Sequence, residues 1–469
     1  MNRRSFLRSS VGATLSTGVA GIAGVTGVGA AAQASGIVWS QRGSAPGTQT
    51  LLDVVPGTDD AYICCGYTAR YASESTLVQT ADRWGRVRSS REGSEANERG
   101  HRGYELRALD EGFLLAGVED GAPKLLRTAH PMTRADWAHS FDGEADGAIH
   151  VATTGATHAV GWTDAGDQSG AAVAATDAEG TEQWTDSLAS ERRLTALVAT
   201  GGDGTEFAAV GTGDDGGWAV VLAADGTRER DRTLTTPGSG PEAAVTDGDG
   251  VVLAGSGPEG WWLQRRDGEW AVDWTRTYAD DGATAEGGVD DLVVRSDGYG
   301  LLAHEGSGAV VVRADGSGER RWRARYAPQD GGGHRGHALV PVDGDEFVIA
   351  GATTAGEGGP DWWRARVGQP GETTPVEPPE RTATPGPTTS PPPIHARTTE
   401  EGSATDDTAG ETDASTPVPV DGTERPTGTG TPTPDGDATT ASSGDGPGFG
   451  PLAALAGLSG WLATRVRDE

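Results

Sequence analysis

Short apolar runs, each flanked by polar turns and most closing on a glycine, recur along the chain at 62–66, 113–117, 158–161, 207–211, 251–255, 301–304 and 347–351. Their last residues are separated by 51, 44, 50, 44, 49 and 47 positions. Runs of four or five apolar residues bounded by turn residues read as buried strands. Seven copies at a period in the forties predict a β-propeller, a ring of four-stranded blades.

A second signal follows in the same units, where a strand leads to a turn and then to tryptophan. Asp177 precedes Trp184, Asp267 precedes Trp274, and Asp315 precedes Trp322 by seven residues each, with Gly180 and Gly318 three after their Asp. A fixed interval means a hairpin of constant loop length, which holds register and buries the aromatic against the next blade. Asp82 with Gly85, and Asp225 with Gly226, keep the turn without the tryptophan, while Trp137 keeps the aromatic without the Asp. The last unit ends with a strand at 361–367 and has no fourth, whereas 36–41 precedes the first unit and carries the orphan Trp39. An N-terminal strand completing the last blade would close the ring and remove two open edges. The expectation is an all-β, seven-bladed propeller over residues 35–368, with six or eight blades as the alternatives.

Composition then narrows the function. The 469 residues carry 37 basic and 69 acidic side chains, a net charge of −32, and Lys124 is the only lysine. A chain this acidic disfavours binding to nucleic acid by phosphate neutralisation. Two adjacent cysteines, Cys64 and Cys65, exclude a disulfide scaffold. Scattered carboxylates with arginine almost replacing lysine resemble the proteins of halophilic archaea in composition.

The ends read as addresses. Arg3 and Arg4 precede Phe6-Leu7, a weakly apolar run follows, and Ala32-Gln33-Ala34 is a small-x-small site that places cleavage between Ala34 and Ser35. Residues 1–34 resemble a twin-arginine (Tat) signal, which implies a Tat translocase and a signal peptidase as partners in maturation. Residues 369–446 are rich in Thr, Pro, Gly, Ser and acidic side chains. They hold too little apolar surface to offset ordering entropy, so a disordered stalk is expected. In residues 447–469, Pro447-Gly448-Phe449 opens an apolar segment, expected to be helical, that closes on Arg465 and Arg467. This order resembles the PGF-CTERM sorting signal of archaeal surface proteins. The resemblance implies processing by an archaeosortase and a membrane lipid anchor, the alternative being a retained transmembrane helix.

Chemistry is sparser. The unit from Ala175 through Asp177 and Gly180 to Trp184 is similar to the repeats of quinoprotein-type propellers, and such dehydrogenases carry adjacent cysteines, as Cys64 and Cys65 are. In a strand, however, alternation points neighbours to opposite faces. The tetrads Gly100-His101-Arg102-Gly103 and Gly333-His334-Arg335-Gly336, the latter followed by His337, each precede a predicted innermost strand. On the face formed by between-blade loops, His101, Arg102, His334, Arg335 and His337 are candidate ligand-binding residues for a carboxylate, sulfate or acidic glycan. Asp247-Gly248-Asp249-Gly250 and Asp343-Gly344-Asp345 read as hairpin turns, since both lack the glutamate of a calcium loop. No catalytic residue, metal site or cofactor is expected. The preferred reading is a non-catalytic, membrane-anchored cell-surface propeller contacting a ligand, surface glycan, S-layer or protein. The alternative is a tethered extracellular enzyme, quinone-linked or carbohydrate-active.

Overall fold

The structure, a computed structural model, describes residues 36–372 apart from 44–46, 59, 71–72, 93–101, 130–134, 166–169, 202–204, 279–286, 327–331 and 355–358. Arg3, Arg4, Ala34, Ser35, His101, Pro447, Gly448 and Phe449, with nearly all of the expected stalk, lie outside the described residues. Among the described residues, twenty-eight strands form seven four-stranded antiparallel sheets and no helix occurs. The chain is a seven-bladed β-propeller.

Six blades are simple meanders in chain order, and the seventh is a composite. Its outermost strand is the N-terminal Ile37–Arg42, paired antiparallel to Asp361–Val367 with Ile37 opposite Val367 and Arg42 opposite Trp363. The Gly368 N–H donates to the Gly36 carbonyl at 2.8 Å, so the chain enters and leaves the ring at one point. The cores lie between blades. Trp261 and Leu263 of blade 5, for example, pack with Leu292, Leu301 and Val310 of blade 6.

The repeated aspartate turn has a plain physical origin. The Asp177 carboxylate accepts the N–H groups of Glu179 and Thr181, and Asp82, Asp267 and Asp315 do the same for their own turns. The fourth turn residue then adopts positive φ, as at Gly85, Gly180 and Gly318. In blade 4 the turn begins at Ala223 rather than Asp225: the Gly226 N–H donates to the Ala223 carbonyl, and Asp225 caps the Thr227 N–H from within. Trp39, Trp137, Trp184 and Trp274 of the outer strands lie on the turn of the next blade, against Gly85, Gly180, Gly226 and Gly318. Trp137 donates to the Ala178 carbonyl at 2.8 Å, and Trp184 to the Ala224 carbonyl at 2.8 Å.

The glycine that ends four of the seven apolar runs is explained by the innermost strands. In blades 1, 2, 4, 6 and 7 these strands bulge, with Leu52, Tyr104, Thr195, Asp290 and His337 as the extra residues. Beside four of these bulges a glycine faces the innermost strand. A Cβ on Gly66, Gly117, Gly211 or Gly351 would overlap the carbonyl oxygen of Thr50, Arg102, Arg193 or Arg335 respectively. In blade 6 the register puts Ala303, not His304, at this position, opposite Val289. The repeat frame read from the sequence is thus shifted by one there.

Candidate functional site

The innermost strands of blades 6 and 7, Val289–Arg295 and His334–Pro341, line the ring axis, and their bulges fall near its mouth. In an antiparallel meander this mouth shares a face with the between-blade loops, while the aspartate turns occupy the other. A bulge re-aims side chains locally. Here the bulged Asp290 is buried and takes two partners, His304 Nδ1 at 2.8 Å and Arg335 Nη2 at 3.0 Å. His304 Nε2 in turn accepts the Gly288 N–H at 3.2 Å. These bonds assign the proton of His304 to Nδ1 and leave both ring nitrogens engaged. Burial pushes the Asp290 carboxyl up, but the His304 hydrogen bond and the Arg335 charge outweigh it and hold the group below its usual range.

Two further groups complete the mouth. Glu242, just before the innermost strand of blade 5, accepts the Val289 N–H at 2.5 Å and the Ser256 hydroxyl, and burial raises its pKa. The bulged His337 interacts electrostatically with Asp290, Arg335 and His304. Burial pushes its pKa down to about 4, so at neutral pH it is an uncharged imidazole offering one donor and one acceptor. The arrangement suits orientation of a polar ligand.

Deeper in the ring, side chains fasten one innermost strand to the next. Asp53 accepts the Leu106 N–H at 2.6 Å, and Asp291 accepts the Leu339 N–H at 2.7 Å. At the level of the mouth, Thr195 likewise donates to the Pro241 carbonyl at 2.8 Å. Desolvation raises both aspartates, with Glu105 adding repulsion to each, and Asp291 reaches about 7. These carboxylates read as structural staples. Among the described residues, no group of three or more His, Cys, Asp or Glu is placed to hold a metal ion.

The candidates read from the sequence divide in the fold. Arg335 and His337 meet at the mouth with Asp290. His334 instead stacks on Trp363, ring centroids 4.5 Å apart, and its Nδ1 bonds the Thr353 hydroxyl at 2.8 Å. Arg102 occupies the position in blade 2 that Arg335 has in blade 7, one residue before the paired glycine, but forks onto Glu74 of blade 1 at 2.6 Å and lies over the Tyr67 ring. The two arginines therefore engage carboxylates of different blades. Asp290, His304 and Glu242 were not singled out in the sequence. The one available signal was His304, where the sixth run lacks the terminal glycine. Cys64 and Cys65 are free, buried and on opposite sides of their strand, one packed with Trp39 and Leu77, the other with Ile63 and Leu106. That geometry removes the adjacent-cysteine signature of a quinone site. Asp247 and Asp345 sit at hairpin turns and pair with Arg265 and Arg313.

No family model matches the chain, and no curated protein sequence does. Among solved structures it is similar to streptogramin B lyase, at 12% identity over 71% of this chain and 99% of that one, with a TM-score of 0.49. It is also similar to Raptor of Chaetomium thermophilum, at 11% identity over 71% of this chain and 28% of that one, TM-score 0.49. A third is Sqt1 of the same organism, bound to the N-terminus of ribosomal protein L10, at 12% identity over 68% and 97%, TM-score 0.46. Likenesses this distant carry no information on activity.

Proposed function

We propose that the chain is an exported, membrane-anchored propeller that contacts a ligand, glycan or protein at the cell surface without catalysis. The observation that carries this reading is the junction of Gly36 and Gly368. Strand direction puts that junction on the face of the aspartate turns, opposite the mouth formed by Asp290, Arg335 and His337. A ring tethered there presents its binding mouth on the far side from the point where the chain departs. The Thr/Pro-rich segment serves as the stalk, and the Pro447-Gly448-Phe449 tail as the sorting and anchoring signal. Arg3 and Arg4 direct the Tat translocase, and signal peptidase cuts after Ala34. An archaeosortase then processes the tail and attaches lipid.

The test is fractionation of cells producing the full chain. The reading expects the protein in the membrane fraction, released by lipid extraction, and Arg3→Lys with Arg4→Lys retaining it in the cytoplasm uncut. Cytoplasmic, full-length protein in the unaltered chain would overturn it.

A further inference from the structure

The seam between blades 7 and 1, where the ring is closed, contains a polar cluster that the equivalent positions of most other blades lack. Arg364 lies on the third strand of blade 7, opposite Ala350 and Gln41. By register, the same position is filled by Val78, Leu125, Ala174, Ala219, Leu263 and Val311 in the other six blades. Arg364 is fully buried, and among the described residues no carboxylate lies within ion-pairing distance of it. Its Nη1 reaches Cys64 Sγ at 3.7 Å, and its guanidinium carbon lies 4.4 Å from the Trp362 ring centroid. Nε and Nη2 have no hydrogen-bond partner in the protein.

Two amides are neighbours of this cluster by strand register. Gln41 is the cross-strand neighbour of Arg364, and Gln79 is the cross-strand neighbour of Cys64. Both are 3% exposed, and the Oε1 atom of each has no partner. The two ends of an amide have the same shape, so each glutamine can turn its NH₂ inward in place of Oε1. A buried cation without a counter-ion is costly by several kcal/mol, and buried N–H groups without acceptors add to that cost. The Cys64 thiol does not relieve it, because burial raises its pKa and keeps it neutral. A small anion would supply the missing charge and accept from Arg364 Nε and Nη2 together with the two amides.

We propose that Arg364, Gln41 and Gln79 form an internal site for a small monoatomic anion, chloride in ordinary buffers, which locks the closing blade to blade 1. Gluconate, a polyatomic anion much larger than chloride, serves as the control. A ligand bound by the folded state alone raises stability with the logarithm of its concentration.

The test compares thermal midpoints of the full chain in sodium chloride and sodium gluconate at equal ionic strength. Chloride should raise the midpoint by on the order of 2 °C per tenfold increase in concentration over gluconate. The same chain should broaden the ³⁵Cl resonance. Arg364→Leu, which restores the aliphatic choice of the other blades, should abolish both effects. Gln79→Leu, a milder change matching Leu126 of blade 2, should weaken both and serves if the first variant fails to fold. Equal midpoints in the two salts, as a bridging water would give, or a chloride increment unchanged in Gln79→Leu, would overturn the proposal.

Discussion

The indole of Trp39 donates to the Arg83 carbonyl at 3.1 Å, and its ring lies against Gly85, so the N-terminal strand completes blade 7 and packs on blade 1 in the same act. Trp137 and Trp184 make the same contact one blade further on, with Ala178 and Gly180 and with Ala224 and Gly226. Trp39→Ala removes a fully buried aromatic and a hydrogen bond, and is expected to cost about 3–5 kcal/mol. Removing residues 36–42 should do more, by exposing the edge of Asp361–Val367 and driving association between copies. Denaturant midpoints check the first expectation and sedimentation the second.

Two glycines separate backbone strain from the tryptophan contact. Gly226 and Gly248 both have positive φ, but a Cβ on Gly226 would meet the Trp184 ring, whereas one on Gly248 meets nothing. Gly248→Ala should cost roughly 1 kcal/mol from strain alone. Gly226→Ala should cost clearly more, because the indole must also move. Equal losses in denaturant titration would show that the ring does not depend on that contact.

Asp291 and His337 should impose opposite pH dependences. Asp291 is raised from 3.8 to about 7, so the folded state holds the extra proton between these values. Its contribution to stability is full below about 3.8 and falls as pH rises through about 7. His337 is lowered from 6.5 to about 4, so the unfolded state holds the extra proton, and its contribution rises with pH from about 4 to 6.5. Glu105 and Arg107 act on Asp291, and Asp290, Arg335 and His304 on His337. Between pH 4 and 6.5 the two slopes offset one another. Asp291→Asn should therefore make stability rise more steeply with pH than in the unaltered chain, and His337→Gln should make it fall. Unfolding curves at half-unit steps test the signs.

The cysteines should be inert. Both are fully buried and burial raises both thiols, strongly for Cys65, so thiolate is scarce in the folded protein. Alkylation at pH 8 should modify neither until the ring is unfolded, and then both. Prompt labelling of one residue in the native chain would contradict the placement.

The ring was legible because its determinants are local and repeated. Asp177, Gly180 and Trp184 state a turn and a contact in eight residues, and the orphan Trp39 marked the closure. The mouth was less legible. The sixth run has Ala303 where other runs have glycine, so the frame slipped by one at Ala303 and His304. Asp290 and Glu242 are two carboxylates among 69 acidic residues, and only burial beside His304, Arg335 and Val289 distinguishes them. His334 of the tetrad looked as eligible as His337 just after it, but the bulge separates their surroundings, and His334 stacks on Trp363.

Display at the surface is tested most directly by brief proteolysis of intact cells producing the full chain. The account predicts release of a protease-resistant fragment that begins at Ser35, ends within the Thr/Pro-rich segment and stays folded through the Trp39 closure. Protein that remains full-length and protected until the cells are lysed would contradict it.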